Sequence, residues 1–330
     1  MKKKLIEIID SISKKKITNF FLDLIDVDTV FLNYHRVLSD LDFQNTDRPD
    51  NDLVVSKKIF ENQINYLKEN FEVISINEIH RKKNKKRKVV ITFDDGYFDN
   101  LKNALPILEK YDCPATIYIA TSFLDDKAIP WWLSVWKVIL SQRKLNYNNR
   151  IYDIVNKEDK KNCYKTLCRE LISLNKNQQD IILNNLSDAN IIKEKKTKEF
   201  LSSEDLAFLA NNNLIEIGCH THTHQNLKVL SKEEIHDEII NSKNILQKII
   251  NKKIHHFSIP YGSKNCFDEN VIEQLSAYNF KTIVTTEHDI FRKNKCNRIP
   301  RIGIGNLDIN GRLHSKSIGI DSLLNKILRR

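Results

Sequence analysis

Residues 89–97 read VVITFDDGY, an apolar and β-branched run that leads into two adjacent aspartates and a glycine. The run predicts a buried β-strand that ends in a turn. Two neighbouring carboxylates at a strand end repel each other, and partial burial disfavours both charges. A bound cation would relieve this, with Asp95 as a ligand and Asp94 free to act as a base. Because Asp-Asp-Gly is also ordinary turn chemistry, a solvated turn is the alternative.

A second predicted strand end carries a group of histidines. Residues 214–217 form a short apolar run, and His220, His222 and His224 follow it at alternate positions. Neutral imidazole is a common metal ligand, and two histidines with one carboxylate leave coordination positions open, as catalytic zinc requires. A single histidine would be explained more simply as a packed core or surface residue. The group of three favours a metal site.

These two segments resemble two motifs of the polysaccharide deacetylase family, whose members are also described as NodB-like domains or carbohydrate esterase family 4. Thr92–Gly96 is similar to the first motif, and His220–His224 is similar to the second, His-(Ser/Thr)-x-x-His. The resemblance implies a site for a divalent metal, with zinc as the expected ion, and a separate catalytic base at Asp94. The metal ligands that it implies are Asp95, His220 and His224. His222 falls at a variable position of the motif and receives no ligand role.

A third segment, FSIPYG at residues 257–262, resembles the third motif of the family, whose backbone helps to hold the oxyanion. The resemblance gives Pro260 and Tyr261 substrate-binding roles. An arginine often lies two residues before this proline in the family, but Ser258 occupies that position here. This departure bears on how the catalytic base is oriented. The candidates to pair with Asp94, from a predicted late strand, are Arg298 and Arg301.

Two further histidines are candidates for the cleft. The family's later motifs supply a histidine that acts as general acid, and His314 is the nearest candidate, although its surroundings in the sequence differ. His35 lies in the first predicted core strand, residues 30–37, near the end that would meet the metal site. It either lines the cleft or forms a hydrogen bond at the rim, and we expect the cleft role.

The three tryptophans of the chain lie together just past a predicted strand end. They could stack on sugar rings or anchor the following segment to the barrel, and anchoring is the simpler interpretation because amphipathic aromatic side chains usually pack. One of them, Trp132, is retained as the candidate for a sugar contact. The tryptophans are Trp131, Trp132 and Trp136.

Strand and helix patterns alternate around the first motif, which predicts parallel β/α units. Catalytic residues at the carboxyl ends of strands suit the rim of a barrel. The resemblance implies an α/β fold, a distorted (β/α) barrel usually of seven strands, which we expect over residues 30–123 and 201–310. Helical spacing dominates residues 124–200, so we expect a mainly helical insert that covers the cleft. Residues 1–29 are predicted as a basic N-terminal helical segment, and residues 311–330 as a basic C-terminal tail.

The composition limits the classes of partner. The chain has 330 residues, of which 41% are hydrophobic and 29% charged, as in globular proteins. The net charge of +10 would suit an anionic partner. No basic–aromatic pattern or nucleic-acid motif is present, so we expect no nucleic acid to bind. The six cysteines form no C-x-x-C pair and are typical of reduced thiols.

The amino terminus bears on location. The sequence MKKK resembles the n-region of a signal peptide, but Glu7 and Asp10 interrupt the apolar segment that should follow. The apolar spacing of residues 5–25 is helical, and it indicates a packed surface helix or a weak helix on a membrane surface. We therefore expect a cytoplasmic protein, with peripheral contact to the inner membrane face as the further option.

The combined pattern predicts a metal-dependent hydrolase that removes an N-acetyl group from an amino sugar or polysaccharide. A cytoplasmic location favours a nucleotide- or lipid-linked intermediate of surface-polysaccharide biosynthesis over finished wall polymer. Two alternatives stay open, a carbohydrate O-acetyl esterase and a carbohydrate-binding protein with a vestigial site. The altered third motif favours the vestigial site, whereas the intact aspartates and histidines of the first two motifs oppose it.

Overall fold

The computed structural model describes residues 28–46, 53–82, 86–186, 198–287, 289, 291 and 295–320. The predicted helix at residues 5–25 and the last ten residues of the predicted basic tail lie outside these ranges. The strands are β1 (Thr29–Tyr34), β2 (Arg36–Leu38), β3 (Val54–Ser56), β4 (Glu72–Val73), β5 (Lys88–Phe93), β6 (Ala115–Ile119), β7 (Lys144–Tyr147), β8 (Arg150–Asp153), β9 (Ile215–Cys219), β10 (His256–Ser258), β11 (Thr282–Thr285) and β12 (Ile299–Gly303).

The α-helices surround the larger sheet and form most of the insert. They are α1 (Asp40–Asn45), α2 (Lys57–Asn70), α3 (Leu105–Lys110), α4 (Trp131–Ser141), α5 (Lys157–Leu171), α6 (Lys176–Leu186), α7 (Ser203–Ala210), α8 (Lys232–Ile250), α9 (Glu269–Ser276) and α10 (Asn310–Ser317). A π-helical turn, Asn100–Ala104, precedes α3. No helix in the described part of the chain combines the length and the apolar character that a transmembrane span requires.

The larger sheet is a closed barrel. β1, β5, β6, β9, β10, β11 and β12 pair in that order, every pair is parallel, and β12 pairs with β1 to close the ring. β4 adds to the first two residues of β5. This parallel barrel of seven strands confirms the predicted fold class. Closure leaves the carboxyl ends of all seven strands at one rim, where loops can converge on a common site.

Alternate residues of the barrel strands belong to two different cores, as a period of two requires. Val89, Ile91 and Phe93 of β5 pack with the surrounding helices. Val90 instead packs with Phe31 of β1 and with residues of β6, β11 and β12, which places it inside the barrel. Along β5 the same inward face then continues through Thr92 to Asp94, so the interior becomes polar towards the rim.

A glycine inside the barrel makes room for a tyrosine. Gly218 of β9 is the register partner of Tyr118 on β6, and a Cβ built on the glycine would lie 2.3 Å from a ring carbon of this tyrosine. The Tyr118 ring is fully buried, so it has little freedom to move aside. The ring in turn lies beneath the guanidinium of Arg301, with the carbon of the guanidinium 5.4 Å from the ring centroid.

We expect Gly218→Ala to lower the free energy of unfolding by about 1–3 kcal/mol, the usual cost of adding volume to a packed interior. Urea unfolding at neutral pH measures it. Gly303→Ala is the matched control, because a Cβ at this strand position meets nothing within 4 Å. Equal effects of the two substitutions would contradict the steric argument.

The insert between β6 and α7 has its own hydrophobic core, which joins α4, α5 and α6. The expected helical character is present in the described residues, but β7 and β8 form an antiparallel hairpin that the sequence analysis did not predict. Its turn residues, Asn148 and Asn149, have φ of 48° and 57°. Positive φ at both central positions is typical of a type I′ turn. The Asn-Asn pair is a weaker signal for this turn than the usual Asn-Gly.

Candidate active site

The two motifs meet at the rim of the barrel. Asp94 and Asp95 follow β5, and His220 follows β9, so the parallel strands deliver all three to the same edge. The backbone then turns sharply at left-handed residues, with φ of 76° at Asp95, 65° at Thr221 and 57° at His224. Left-handed backbone is uncommon for residues other than glycine, and such residues concentrate at functional sites.

The predicted metal ligands form one buried group. The side chains of Asp95, His220 and His224 offer ligand atoms that all lie within 4.8 Å of one another. Oδ1 of Asp95 lies 3.5 Å from Nε2 of His220 and 3.2 Å from Nε2 of His224. This oxygen is buried and has no hydrogen-bond partner among the described residues. One carboxylate oxygen and two imidazole nitrogens that face each other without hydrogen bonds fit a divalent ion such as zinc.

The charges of this group are strongly coupled. Burial would raise the pKa of Asp95, but the two histidines hold that pKa well below its usual range. Burial would lower the pKa of His220, and the nearby Asp94 and Asp95 carboxylates outweigh it and raise the pKa. For His224, burial prevails and the pKa is lowered. Asp95 is therefore ionised, as a metal ligand must be.

Backbone groups fix one histidine and its loop. Nδ1 of His220 lies 2.8 Å from the carbonyl oxygen of Ser258. Because a carbonyl only accepts, Nδ1 carries a proton, and Nε2 is the ring nitrogen that faces Asp95. The loop that follows is held by Glu238 of α8, whose Oε2 accepts from the backbone N–H groups of His222 (2.9 Å) and Thr223 (2.7 Å). No motif in the sequence marks Glu238 for this role.

Asp94 lies beside the metal-ligand group but has different partners. Its two oxygens accept hydrogen bonds from Nη1 and Nη2 of Arg301, at 2.8 Å and 2.7 Å. Asn33 of β1 donates to Oδ2 at 3.1 Å. Burial would raise the pKa of Asp94, but Arg301, with a smaller effect of His220, lowers it from 3.8 to about 2. Asp94 is therefore a fixed, ionised carboxylate at neutral pH.

Arg301 enters from β12 and is itself fully buried. It donates to Oγ of Ser258 at 2.8 Å and to Oγ1 of Thr92 at 3.1 Å, in addition to its bond with Asp94. The small Ser258 thus stands where the family often has an arginine, and the guanidinium reaches the same carboxylate from another strand. Of the two arginines considered from the sequence, Arg301 pairs with Asp94. Arg298 instead pairs with Glu287 and Glu269, and its Nε lies 2.6 Å from Oε2 of Glu287.

The structure places His314, the candidate for the general acid, on a helix outside the barrel. His314 lies on α10, and its Nδ1 is 2.9 Å from the hydroxyl of Tyr66 on α2. Its ring also packs against Phe71, with centroids 5.7 Å apart. These contacts place His314 among the helices outside the barrel, and a catalytic role for it stays a prediction. A histidine on an amphipathic helix is satisfied there by packing.

The remaining candidates lie around the metal-ligand group. His35 is half-buried at the end of β1, and its charge acts on both Asp94 and Asp95 to lower their pKa. Pro260 is buried, and the ring of Tyr261 lies edge-on to His224 with centroids 4.6 Å apart. Trp132 also meets the His224 ring, at a centroid distance of 4.9 Å. The structure brings all four beside the site, and their substrate-binding roles stay predictions.

Comparison with known proteins agrees with this geometry. A sequence model described as polysaccharide deacetylase matches residues 81–283, which is more than half of the chain and includes both aspartates and all three histidines of the second motif. The chain belongs to the polysaccharide deacetylase family. Staphylococcus aureus proteins named poly-beta-1,6-N-acetyl-D-glucosamine N-deacetylase are 30% identical over 190 residues, or 52% of the chain. The chain spans 58% of the length of these curated relatives.

Solved structures of deacetylases have the same fold as this chain. The Streptococcus pyogenes deacetylase PplD in complex with acetate aligns with a TM-score of 0.57 at 19% identity, over 88% of this chain and 97% of that one. IcaB from Ammonifex degensii aligns with the same TM-score at 16% identity, over the same shares of the two chains.

Proposed function

We propose that the chain is a metal-dependent deacetylase that removes the N-acetyl group from an amino sugar of a polysaccharide. The observation that carries this proposal is the division of labour between two adjacent carboxylates. Asp95 faces two histidines and has an oxygen without a hydrogen-bond partner among the described residues, whereas both oxygens of Asp94 accept hydrogen bonds from Arg301. A solvated turn would need neither arrangement.

Different residues of the site are proposed to serve different steps of amide hydrolysis. A divalent ion bound by the metal-ligand group would polarise the acetyl carbonyl and lower the pKa of a water molecule. Asp94 is the base that accepts the proton of the attacking water, because it is ionised at neutral pH and Arg301 fixes its orientation. Arg301 keeps this carboxylate from ligating in place of Asp95. The backbone at Tyr261 is proposed to stabilise the oxyanion that develops on the acetyl oxygen.

The names of the relatives support a particular substrate class. The Staphylococcus aureus proteins are named for a β-1,6-linked N-acetylglucosamine polymer. We extend this class of substrate to the present chain as a proposal, since the match covers part of each protein. A nucleotide- or lipid-linked sugar is the substrate expected if the protein is cytoplasmic, on the inner membrane face. Cell fractionation distinguishes a cytoplasmic protein from an exported one.

The test is acetate release by the purified protein together with its metal content. We expect stoichiometric zinc or a similar divalent ion, acetate from N-acetylated β-1,6-linked glucosamine oligomers, and loss of turnover after chelation that added zinc restores. The panel includes a nucleotide-linked N-acetylhexosamine and an O-acetylated sugar, so that the linked-intermediate and esterase alternatives give distinct results. A protein without metal and without acetate release from any member of the panel would support a vestigial site.

A further inference from the structure

The two metal-ligand histidines are oriented by different means. Nδ1 of His220 donates to the Ser258 carbonyl. Nδ1 of His224 is buried and has no hydrogen-bond partner among the described residues. Ligand histidines in proteins usually donate this second N–H to an oxygen, which fixes the ring. The orientation of the His224 ring must therefore come from packing.

Two aromatic rings supply this packing. The Tyr261 ring meets His224 at 82° with centroids 4.6 Å apart, and the Trp132 ring meets it at 62° with centroids 4.9 Å apart. Edge-to-face pairs at such distances stabilise one relative orientation of the rings. Trp132 is half-buried, and its ring also meets Phe123 at a centroid distance of 5.7 Å.

Both rings depend on the first turn of α4, which belongs to the insert. Nε1 of Trp131 donates to the hydroxyl of Tyr261 at 2.8 Å, and this hydroxyl donates to the backbone carbonyl of His224 at 3.2 Å. A continuous chain of hydrogen bonds thus joins the insert to the second and third motifs.

The backbone is in an unfavourable conformation at the two residues that these hydrogen bonds join. His224 and Tyr261 have φ of 57° and 60°, in the left-handed region that costs free energy for residues with a Cβ. Such conformations persist where the surrounding contacts hold them. The hydroxyl of Thr221 accepts from the backbone N–H of His224 at 3.1 Å, and the hydroxyl of Thr286 donates to the backbone carbonyl of Tyr261 at 2.8 Å. The two tryptophans add contacts to the side chains of the same two residues.

We propose that Trp131 and Trp132 are positioning residues, and that the first turn of α4 completes the metal site by fixing the rings of Tyr261 and His224. This inference rests on the proposed metal-dependent function. It differs from anchoring of the insert, which would affect only stability. It also differs from sugar stacking, which would affect only substrate binding. Trp136, on the same helix, packs against Tyr164 within the insert and supplies a matched control.

The experiment measures zinc affinity by competition with a chelator, together with kcat and KM, for the full chain and four variants. We expect Trp132→Ala to weaken zinc binding about 10- to 100-fold, the range typical of residues that orient a metal ligand. Trp132→Phe retains a ring and should keep most of the affinity. Trp131→Phe removes one hydrogen bond to Tyr261 and should lower kcat up to about 10-fold. Trp136→Phe should change neither zinc affinity nor kcat, although it lowers the melting temperature.

Each outcome decides between the alternatives. Full zinc affinity and kcat in Trp132→Ala would overturn the inference and leave the proposed function intact. A raised KM of Trp132→Ala, with unchanged zinc affinity, would overturn the inference in favour of stacking of Trp132 on a sugar ring. An equal loss of affinity in Trp136→Phe would overturn it in favour of general stabilisation by the insert. A parent protein that binds no zinc would refute the proposed function, and the inference would fall with it.

Discussion

Replacing Asp94 by Asn should lower kcat by about 10²- to 10⁴-fold, the usual contribution of a general base, while the protein keeps its metal. Asparagine has the same size as aspartate but cannot accept the proton of the attacking water. Its amide can still contact Arg301 through one oxygen. Because none of the metal-ligand atoms belongs to Asp94, zinc content should stay at the parent level. Acetate release under saturating substrate, with metal analysis of the same sample, measures both effects.

Asp95→Asn is the matched variant, one residue along the chain. It removes the charge from the oxygen that lies between the two histidines, so zinc affinity should fall and excess zinc should restore part of the activity. The two neighbours are therefore expected to give opposite results in the metal assay. If Asp94→Asn lost the metal while Asp95→Asn kept it, the roles of base and ligand would have to be exchanged.

The sequence predicts the barrel and the metal-ligand group because both follow from local pattern. The apolar run before Asp94 and the histidines after Ile217 each mark a strand end. Parallel strands bring such ends to one rim without further information. Local pattern does not predict the hairpin in the helical insert, because β7 and β8 pair through a turn that carries no glycine.

The sequence does not decide which arginine meets Asp94, because the choice depends on the register of β12. Arg298 precedes this strand, whereas Arg301 lies within it, where its neighbour Ile299 shares the inward face. A charged residue inside an apolar strand has to find a partner, and this signal separates Arg301 from Arg298 only once the bounds of the strand are known. Asn33 carries the same signal in β1, where it interrupts the run VFLNY. Both residues converge on Asp94.

The position of His314 illustrates a limit of motif transfer. Its short context, Gly-Arg-Leu-His, resembles the family's late motif in only part of its residues. The helix α10 that carries it is placed by packing, through Leu313 in the large core and Tyr66 on α2. Neither contact is visible from spacing along the chain. The packing of the helix that carries such a candidate therefore has to be known before a partial motif can assign it a catalytic role.

Arg301→Met should lower the free energy of unfolding by about 3–5 kcal/mol at neutral pH, since it leaves the buried charge of Asp94 without its partner. Arg301 and Asp94 are 2% and 3% exposed, so water cannot replace the lost hydrogen bonds. Methionine fills much of the volume, and packing loss adds little. Urea unfolding in the presence of a chelator measures the effect without a contribution from bound metal.

The dependence on pH separates this electrostatic cost from lost packing. In the parent protein, burial would raise the pKa of Asp94 but Arg301 lowers it from 3.8 to about 2. The pair thus stabilises the fold fully above about pH 4, and the contribution is lost as the pH falls towards 2. In Arg301→Met, burial acts unopposed by the arginine, so the carboxyl takes up its proton at higher pH and the cost of its charge disappears. The difference in stability between parent and variant should therefore shrink as the pH is lowered from 7 to 3. A difference that stayed constant over this range would assign the loss to packing and contradict the ion-pair role of Arg301.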